Sequence, residues 1–520
     1  MLESKGAGDL ASGDLAVVRT GRGRARVERV LGSASRIENV LEALLVERGA
    51  RQQFERQAPP ALDSSNRVDL RDLLTYTIDP DTAKDFDDAL SFRREPEGIR
   101  AWVHIADVSH FVPAGSPLDH GAARRAFSTY VPGNVAPMLP HELSDDLCSL
   151  RPHQDRLCLT VELPPGGEPQ FYRSVIRSDA RLTYGQAQRR DAAREVLAAL
   201  DLNDELATAL RSARFARGAL QVQTPEVVFG LDGEGGVADA WLEGEPRAHM
   251  LVEELMILAN ERVGAFLAGR RREALYRVHE RPDPQSVELL LAKLADLEVP
   301  TPPAPETLSP QAAAALAGEI SERVADYTVR AGRGREAFPA LVLRALKQAR
   351  YDPRNLGHSG LAAPAYAHFT SPIRRYPDLV AHRALLRELG LSDDPEPERL
   401  AELAEHASVR EREAAQLEYL ADEICLAWLL ERRLFELGWD ARWEGEVVGL
   451  IGSGLFVRFG AVFEGFLPAR RLHDQFYELN SLGTKLVGRT TGRTFRLGDA
   501  LAVRVESIAR NEGKVDLSLA

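Results

Sequence analysis

The sequence is poor in cysteine, in long apolar runs and in basic excess, and each shortage removes a class of protein. Cys148, Cys158 and Cys425 are the only cysteines among 520 residues, too few and too scattered for a disulfide framework or a zinc site. They read as small buried hydrophobes in a reducing cytosol. No stretch approaches the ~18 uninterrupted apolar residues of a membrane span. No apolar run follows a basic start, so no signal peptide is expected either. The expectation is a soluble, cytoplasmic chain with no membrane segment. The formal net charge of −13 argues against a basic, DNA-coating protein, but a local basic channel can work inside an acidic chain. What is present is ordinary for folded domains. Hydrophobic residues make up 44%, enough for a sizeable core, and the length suggests about three units.

Local patterning divides the chain. Leu15–Val18 and Arg24–Glu28 read as two strands, within 36 residues that are too few for a five-stranded barrel. Five arginines between Arg19 and Arg29 are either a solvated strand face or a phosphate contact. Residues 37–57 carry Val40, Leu41, Leu44 and Leu45 at helical spacing, up to a break at Ala58-Pro59-Pro60-Ala61. From about Arg67 to Arg387 the pattern is mixed α/β. It includes an apolar strand at Trp102–Ala106, a buried helix at Ala248–Phe266, a proline-rich loop at 299–310 and helical spacing at 311–329. Pro397–Leu437 is strongly helical. From about Ala441 short strands recur at barrel spacing. That segment holds eleven Lys/Arg against nine Asp/Glu. Of Phe456, Phe459, Phe463 and Phe466, two are expected in its core, leaving two for stacking.

The most informative stretch is Thr77-Ile-Asp-Pro-Asp-Thr-Ala-Lys-Asp-Phe-Asp-Asp-Ala-Leu90, with five carboxylates in ten residues between apolar flanks. Such a cluster cannot stay fully ionised without a counter-cation. Hard oxygen ligands at this density suit Mg²⁺ or Ca²⁺. An EF-hand fails: counted from Asp79, Lys84 stands where glycine is needed and Leu90 where the bidentate glutamate is needed. An acidic surface loop is the bland alternative. A second constellation, His368-Phe-Thr-Ser-Pro-Ile-Arg-Arg-Tyr-Pro-Asp378, puts Arg374 and Arg375 in a proline-constrained loop. Guanidinium forks match phosphate oxygens and can stabilise charge developing on a phosphoryl group, although an arginine pair can equally satisfy a core. Tyr130 and Phe229, each beside a turn, are either substrate contacts or packing. One of Glu253 and Glu254, set in an apolar helix, must find a polar partner.

Together these residues resemble the ribonuclease II/R (RNB) exoribonuclease family over roughly residues 12–520. The strongest motifs are the stretch 77–90, His-Ile-Ala-Asp-Val-Ser-His at 104–110, Met-Leu-Pro-His-Glu-Leu-Ser-Asp-Asp-Leu-Cys-Ser-Leu at 138–150, and Ala365–Arg383. The resemblance implies an α+β multidomain fold: a partial OB/cold-shock-type β remnant at 1–36, helix and linker at 37–66, a mixed α/β RNB catalytic domain with a helical C-terminal part at 67–437, and an OB-fold RNA-binding barrel at 441–520. It implies a monomeric 3′→5′ exoribonuclease that hydrolyses single-stranded RNA to nucleoside 5′-monophosphates, in RNA turnover and mRNA decay. Mg²⁺, or Mn²⁺ in its place, would be held by Asp79, Asp85, Asp87 and Asp88 as a two-metal site, with Asp87 on the water side and Arg374 facing the leaving oxygen. Tyr130 and Phe229 would stack on bases. Glu253 would touch the terminal ribose, with Glu254 as its alternative, and Arg375 and Glu418 would also meet RNA. Three features depart from the family. Only part of the usual front barrels is present, Ser359 stands where phenylalanine is common, and no lysine-rich tail follows the last barrel. Two rivals stand beside this reading: an RNA-binding protein that keeps the fold without the activity, and a phosphodiesterase of small nucleotides.

Overall fold

The computed structural model describes residues 10–21, 24–55, 57–221, 226–233, 236–244, 246–305, 307–472 and 475–520. The chain opens with an antiparallel hairpin, Asp14–Gly21 with Arg24–Ser33. Arg22 of the arginine run lies outside the described residues. The following helix buries Ile37, Val40, Leu41, Leu44 and Leu45 as its spacing predicts, but it ends at Glu47, ten residues before the expected break. The cause is Gly49, whose φ of 71° admits the left-handed turn that lets Ala50 N–H reach Leu45 O at 2.9 Å.

The centre is a seven-stranded mixed sheet. In spatial order its strands are Ala180–Thr183, Tyr76–Asp79, Asp88–Glu95, Gly98–Ala106, Asp155–Leu163, Gln170–Arg177 and Val68–Asp69. The first and last pairs are parallel and the others antiparallel. Leu90, Phe92, Val103, Ile105 and Val161 share one core cluster with apolar residues of helices Arg194–Ala216 and Pro246–Gly269. A buried hydrogen-bonded row crosses the strands: Thr75 Oγ1 to Ser91 Oγ (2.8 Å), Ser91 to His104 Nε2 (3.1 Å), His104 Nδ1 to Thr160 Oγ1 (2.9 Å), and Thr160 to Ser174 Oγ (2.6 Å). Burial pushes the His104 imidazole down to about 3, so it bridges as a neutral ring. A one-residue slip would break every link in this row, so it fixes the register that sets Asp88 opposite Ile105.

Helix Tyr376–Glu388 is buried from Tyr376 through Leu386, as a helix threaded between two cores must be. The 38-residue helix Leu400–Leu437 then leads to a closed five-stranded barrel. Its strands run in the order Trp443–Ile451, Gly454–Phe459, Phe463–Pro468, Lys514–Leu519 and Ala500–Ala509, with a three-stranded insertion between residues 477 and 496. Phe459 and Phe463 are buried in its core, while Phe456 and Phe466 are half-buried and lie 5.1 Å apart. The two-of-four expectation therefore holds. The three cysteines are free and buried. Among the described residues no helix is long and apolar enough to cross a membrane.

Candidate active site

The acidic stretch folds into a loop between two neighbouring strands. Asp79 ends one strand, Asp88 begins the next, and Asp85 and Asp87 lie in the loop between them. Several bonds hold the loop. Ser149 Oγ donates to Lys84 O (2.6 Å) and accepts from Phe86 N–H (3.0 Å), and Leu150 N–H donates to Phe86 O (2.9 Å). Ala106 N–H donates to Asp87 O at 2.9 Å. On the open side, Arg181 donates to Pro80 O and, at 3.2 Å, to Asp81 O. The motifs at 104–110 and 138–150 thus act here as braces for the carboxylate loop.

The arginine loop meets this centre. Ile373 N–H donates to Asp87 Oδ1 at 2.8 Å, and Arg374 Nε lies 3.5 Å from Asp87 Oδ2. The Arg374 side chain stays half exposed. Arg375 turns inward: its Nη2 donates to Asp378 Oδ1 at 2.7 Å, and the same oxygen takes Ser371 N–H at 2.8 Å. The loop is carried on helix Pro246–Gly269. Asn260 Oδ1 accepts Phe369 N–H at 2.8 Å, and a Cβ at Gly264 would come 2.9 Å from Ala367 N, so only glycine allows this approach.

Three further groups converge from other elements. Tyr130 donates its hydroxyl to Asp85 Oδ2 (2.5 Å) and its N–H to Glu418 Oε1 (2.7 Å) on the long helix. Its strand is tied back to the arginine loop, because Ser128 N–H donates to Arg374 O at 2.9 Å. Phe229 lies on a separate hairpin, Val227–Leu231 with Val237–Leu242. That hairpin meets the turn after Tyr130, where a Cβ on Gly133 would sit 2.8 Å from Leu231 Cδ1. Phe229 itself is partly buried against the core cluster that contains Val131, the residue after Tyr130. Glu254 is buried and paired with Arg214 Nε at 3.0 Å, whereas Glu253 is half exposed. The pair therefore divides into one buried structural carboxylate and one that reaches the surface, where it also lies 3.5 Å from Arg214 Nη2.

Sequence reasoning missed Arg181, Tyr184 and His249. Tyr184 follows Thr183, the register partner of Asp79. Burial, with the charges of Asp88 and Asp79, pushes its phenol pKa up. Its ring stacks on His249 with centroids 3.7 Å apart. The local signal was slight, a Thr183-x-x-Gln186 capping box that marks a helix start but not its neighbours.

The electrostatics mark the centre as incomplete by itself. Burial, then the charge of Asp88, pushes Asp79 up to about 7. Burial pushes Asp88 up to about 6 and Asp87 well above the usual carboxylate range, although Arg374 opposes both shifts. Oδ2 of Asp79 and Oδ2 of Asp87 are buried without a hydrogen-bond partner. Among the described residues no three His, Cys, Asp or Glu side chains are already drawn into a metal cage. The donor set nevertheless fits a hard divalent cation, which would give the orphaned oxygens a partner and relieve their repulsion.

The stability consequence has a definite sign. A carboxyl whose folded pKa is raised adds stability below its unfolded value, near 4, and that contribution is lost as pH rises through the folded value. Asp79→Asn should therefore melt higher than wild type in metal-free buffer, by a margin that grows from about pH 4 to about pH 7. Mg²⁺ should narrow the margin by stabilising wild type. Thermal melts across pH check this, and a margin that shrinks with rising pH would contradict it.

A sheet-borne acidic loop facing an arginine loop, with a β-barrel on the far side of a long helix, defines a multidomain protein of the phosphodiester-handling class. Comparison with known proteins makes this particular. The RNB domain matches residues 67–390 and the S1 RNA binding domain matches residues 437–520. The chain belongs to the RNB family. It is 36% identical over 492 residues to ribonuclease R of Escherichia coli K12, covering 88% of this chain but 58% of that protein. The chain therefore spans little more than half the length of that relative. Mycoplasma genitalium RNase R, solved in complex with ribose methylated single-stranded RNA, superposes with a TM-score of 0.89 at 25% identity, over 100% of this chain and 85% of that one. Yeast Ssd1, a pseudonuclease, shares the fold at a TM-score of 0.68 and 18% identity, over 92% of this chain and 62% of that one.

Proposed function

We propose that the chain is a 3′→5′ exoribonuclease that removes nucleoside 5′-monophosphates from single-stranded RNA, as a cytoplasmic monomer in RNA turnover and mRNA decay. The observation that carries this reading is the pair of buried, unpartnered oxygens on Asp79 and Asp87 beside the half-exposed Arg374. Asp79, Asp85, Asp87 and Asp88 are the residues that would hold Mg²⁺, singly or as a pair, with Mn²⁺ as substitute. Such a cation lowers the pKa of water and offsets phosphoryl charge.

The rest falls to the chain itself. Arg374 faces the scissile phosphate and donates toward the 3′ oxygen as the P–O3′ bond breaks. Asp87 keeps that arginine and the Ile373 backbone in one arrangement. Tyr130 and Phe229 flank the terminal bases, and stacking tolerates any sequence. Glu253 meets the terminal ribose, where a 2′-hydroxyl distinguishes RNA from DNA. Glu418 holds the Tyr130 backbone, and Arg375 braces the phosphate loop from behind.

Tyr130→Ala should weaken binding of single-stranded RNA by roughly 1–3 kcal/mol, whereas Tyr130→Phe keeps the ring and should bind like wild type. Fluorescence anisotropy without divalent metal measures both, and equal affinities for all three proteins would remove Tyr130 from the stack. Chromatography of a completed digest tests the reaction. Nucleoside 5′-monophosphates support it, and 3′-monophosphates or internal fragments contradict it. The fold shared with a pseudonuclease keeps an RNA-binding reading available, and RNA bound tightly but never shortened would favour it.

A further inference from the structure

Tyr184 and His249 belong to no element of the mechanism above, yet they meet beside the carboxylates. Tyr184 opens helix Tyr184–Arg189 directly after Thr183, whose Oγ1 accepts Gln186 N–H at 3.0 Å. Its backbone is thereby fixed at the end of the strand that pairs with Asp79. Its ring lies almost parallel to the His249 imidazole, at 18° and 3.7 Å between centroids. On the other side His249 Nε2 bonds Glu243 Oε1 at 2.7 Å. Gln188 Oε1 accepts Ala248 N–H at 3.1 Å and clamps the two helices at this point. Among the described residues the Tyr184 hydroxyl makes no hydrogen bond. One helical turn beyond His249, on the same face, stands Glu253.

A pair serving only the core would be buried, but Tyr184 is half-buried and the His249 side chain is 34% exposed. Tyr184 and His249 instead form a stack that Glu243 braces from behind, with the Tyr184 phenol close enough to the acidic centre to feel the charges of Asp88 and Asp79. We propose that His249 is a positioning residue: held by Glu243, its imidazole face sets the Tyr184 ring so that the free hydroxyl is presented to the terminal nucleotide on the Asp79/Asp88 side of the centre. This rests on the nuclease reading for the identity of the ligand. His249 itself touches no substrate. Its effect passes through Tyr184, which gives it a signature that lost packing would not share.

The test is a double-mutant cycle on the full chain, with single-stranded RNA and Mg²⁺. His249→Ala should lower kcat by between about ten- and a hundredfold, as misplacement of a reacting geometry does. Its KM should change little. In the Tyr184→Phe background the same substitution should cost almost nothing. His249→Phe, which keeps a stacking face, should recover most of the rate. A second readout needs no activity: the ¹⁹F resonance of 3-fluorotyrosine placed at position 184. It should move toward the free-tyrosine position in His249→Ala and stay near wild type in His249→Phe. Additive losses in the cycle, or an unmoved fluorine resonance in His249→Ala, would overturn the proposal. Should the unaltered chain fail to shorten RNA, the nuclease reading falls by itself. The fluorine signal then decides alone whether His249 places the ring.

Discussion

Asp87→Asn should nearly abolish shortening of single-stranded RNA, by at least the ~10³-fold upper end for loss of one transition-state group, and should leave RNA binding intact. Asparagine is the informative replacement because of the two roles that Asp87 divides between its oxygens. Oδ1 accepts Ile373 N–H at 2.8 Å, and an amide oxygen can continue to do so. Oδ2 is buried, unpartnered and 3.5 Å from Arg374 Nε, and its charge is what the substitution removes. Burial already disfavours that charge, so the variant should melt no lower than wild type in metal-free buffer. Loss of rate with a retained or raised Tm separates chemistry from folding. Near-normal rates would show that the site is misassigned.

Arg374→Ala should cost ~10²–10³-fold in kcat, the range for one preorganised donor. Arg374 is half exposed while Arg375 is spent on Asp378, so the two adjacent arginines should behave differently. Arg375→Ala removes a brace from a buried carboxylate that also holds Ser371 N–H, and its main cost should be in Tm. Arg374→Lys should recover little, since one ammonium cannot reproduce the planar fork. Steady-state rates and thermal melts on the three variants check this. A rate loss confined to Arg375→Ala would reverse the assignment of the pair.

Much of the site was legible because its chemistry is local in sequence. Five carboxylates within ten residues and two arginines in a proline-bounded loop announce themselves by composition. What could not be read is how distant segments brace them. That Ser149 ties down Lys84 and Phe86, or that Asn260 carries the arginine loop, depends on contacts between residues 60 or more apart. Tyr184 was invisible for the same reason: its partner His249 lies on another helix. The division of Glu253 from Glu254 needed the position of Arg214 on a third helix. The fold was legible where periodicity was strong, as in the long helix and the barrel strands. The helix beginning at Ile37 was overextended, because an apolar stripe does not register one left-handed glycine.

The central claim is tested most directly by a time course on 5′-labelled single-stranded RNA and matched DNA, with Mg²⁺ or with EDTA. The account predicts stepwise shortening of the RNA alone, ending in a short oligonucleotide, and none with EDTA. Tight binding without shortening in either Mg²⁺ or Mn²⁺, or equal degradation of DNA, would contradict it.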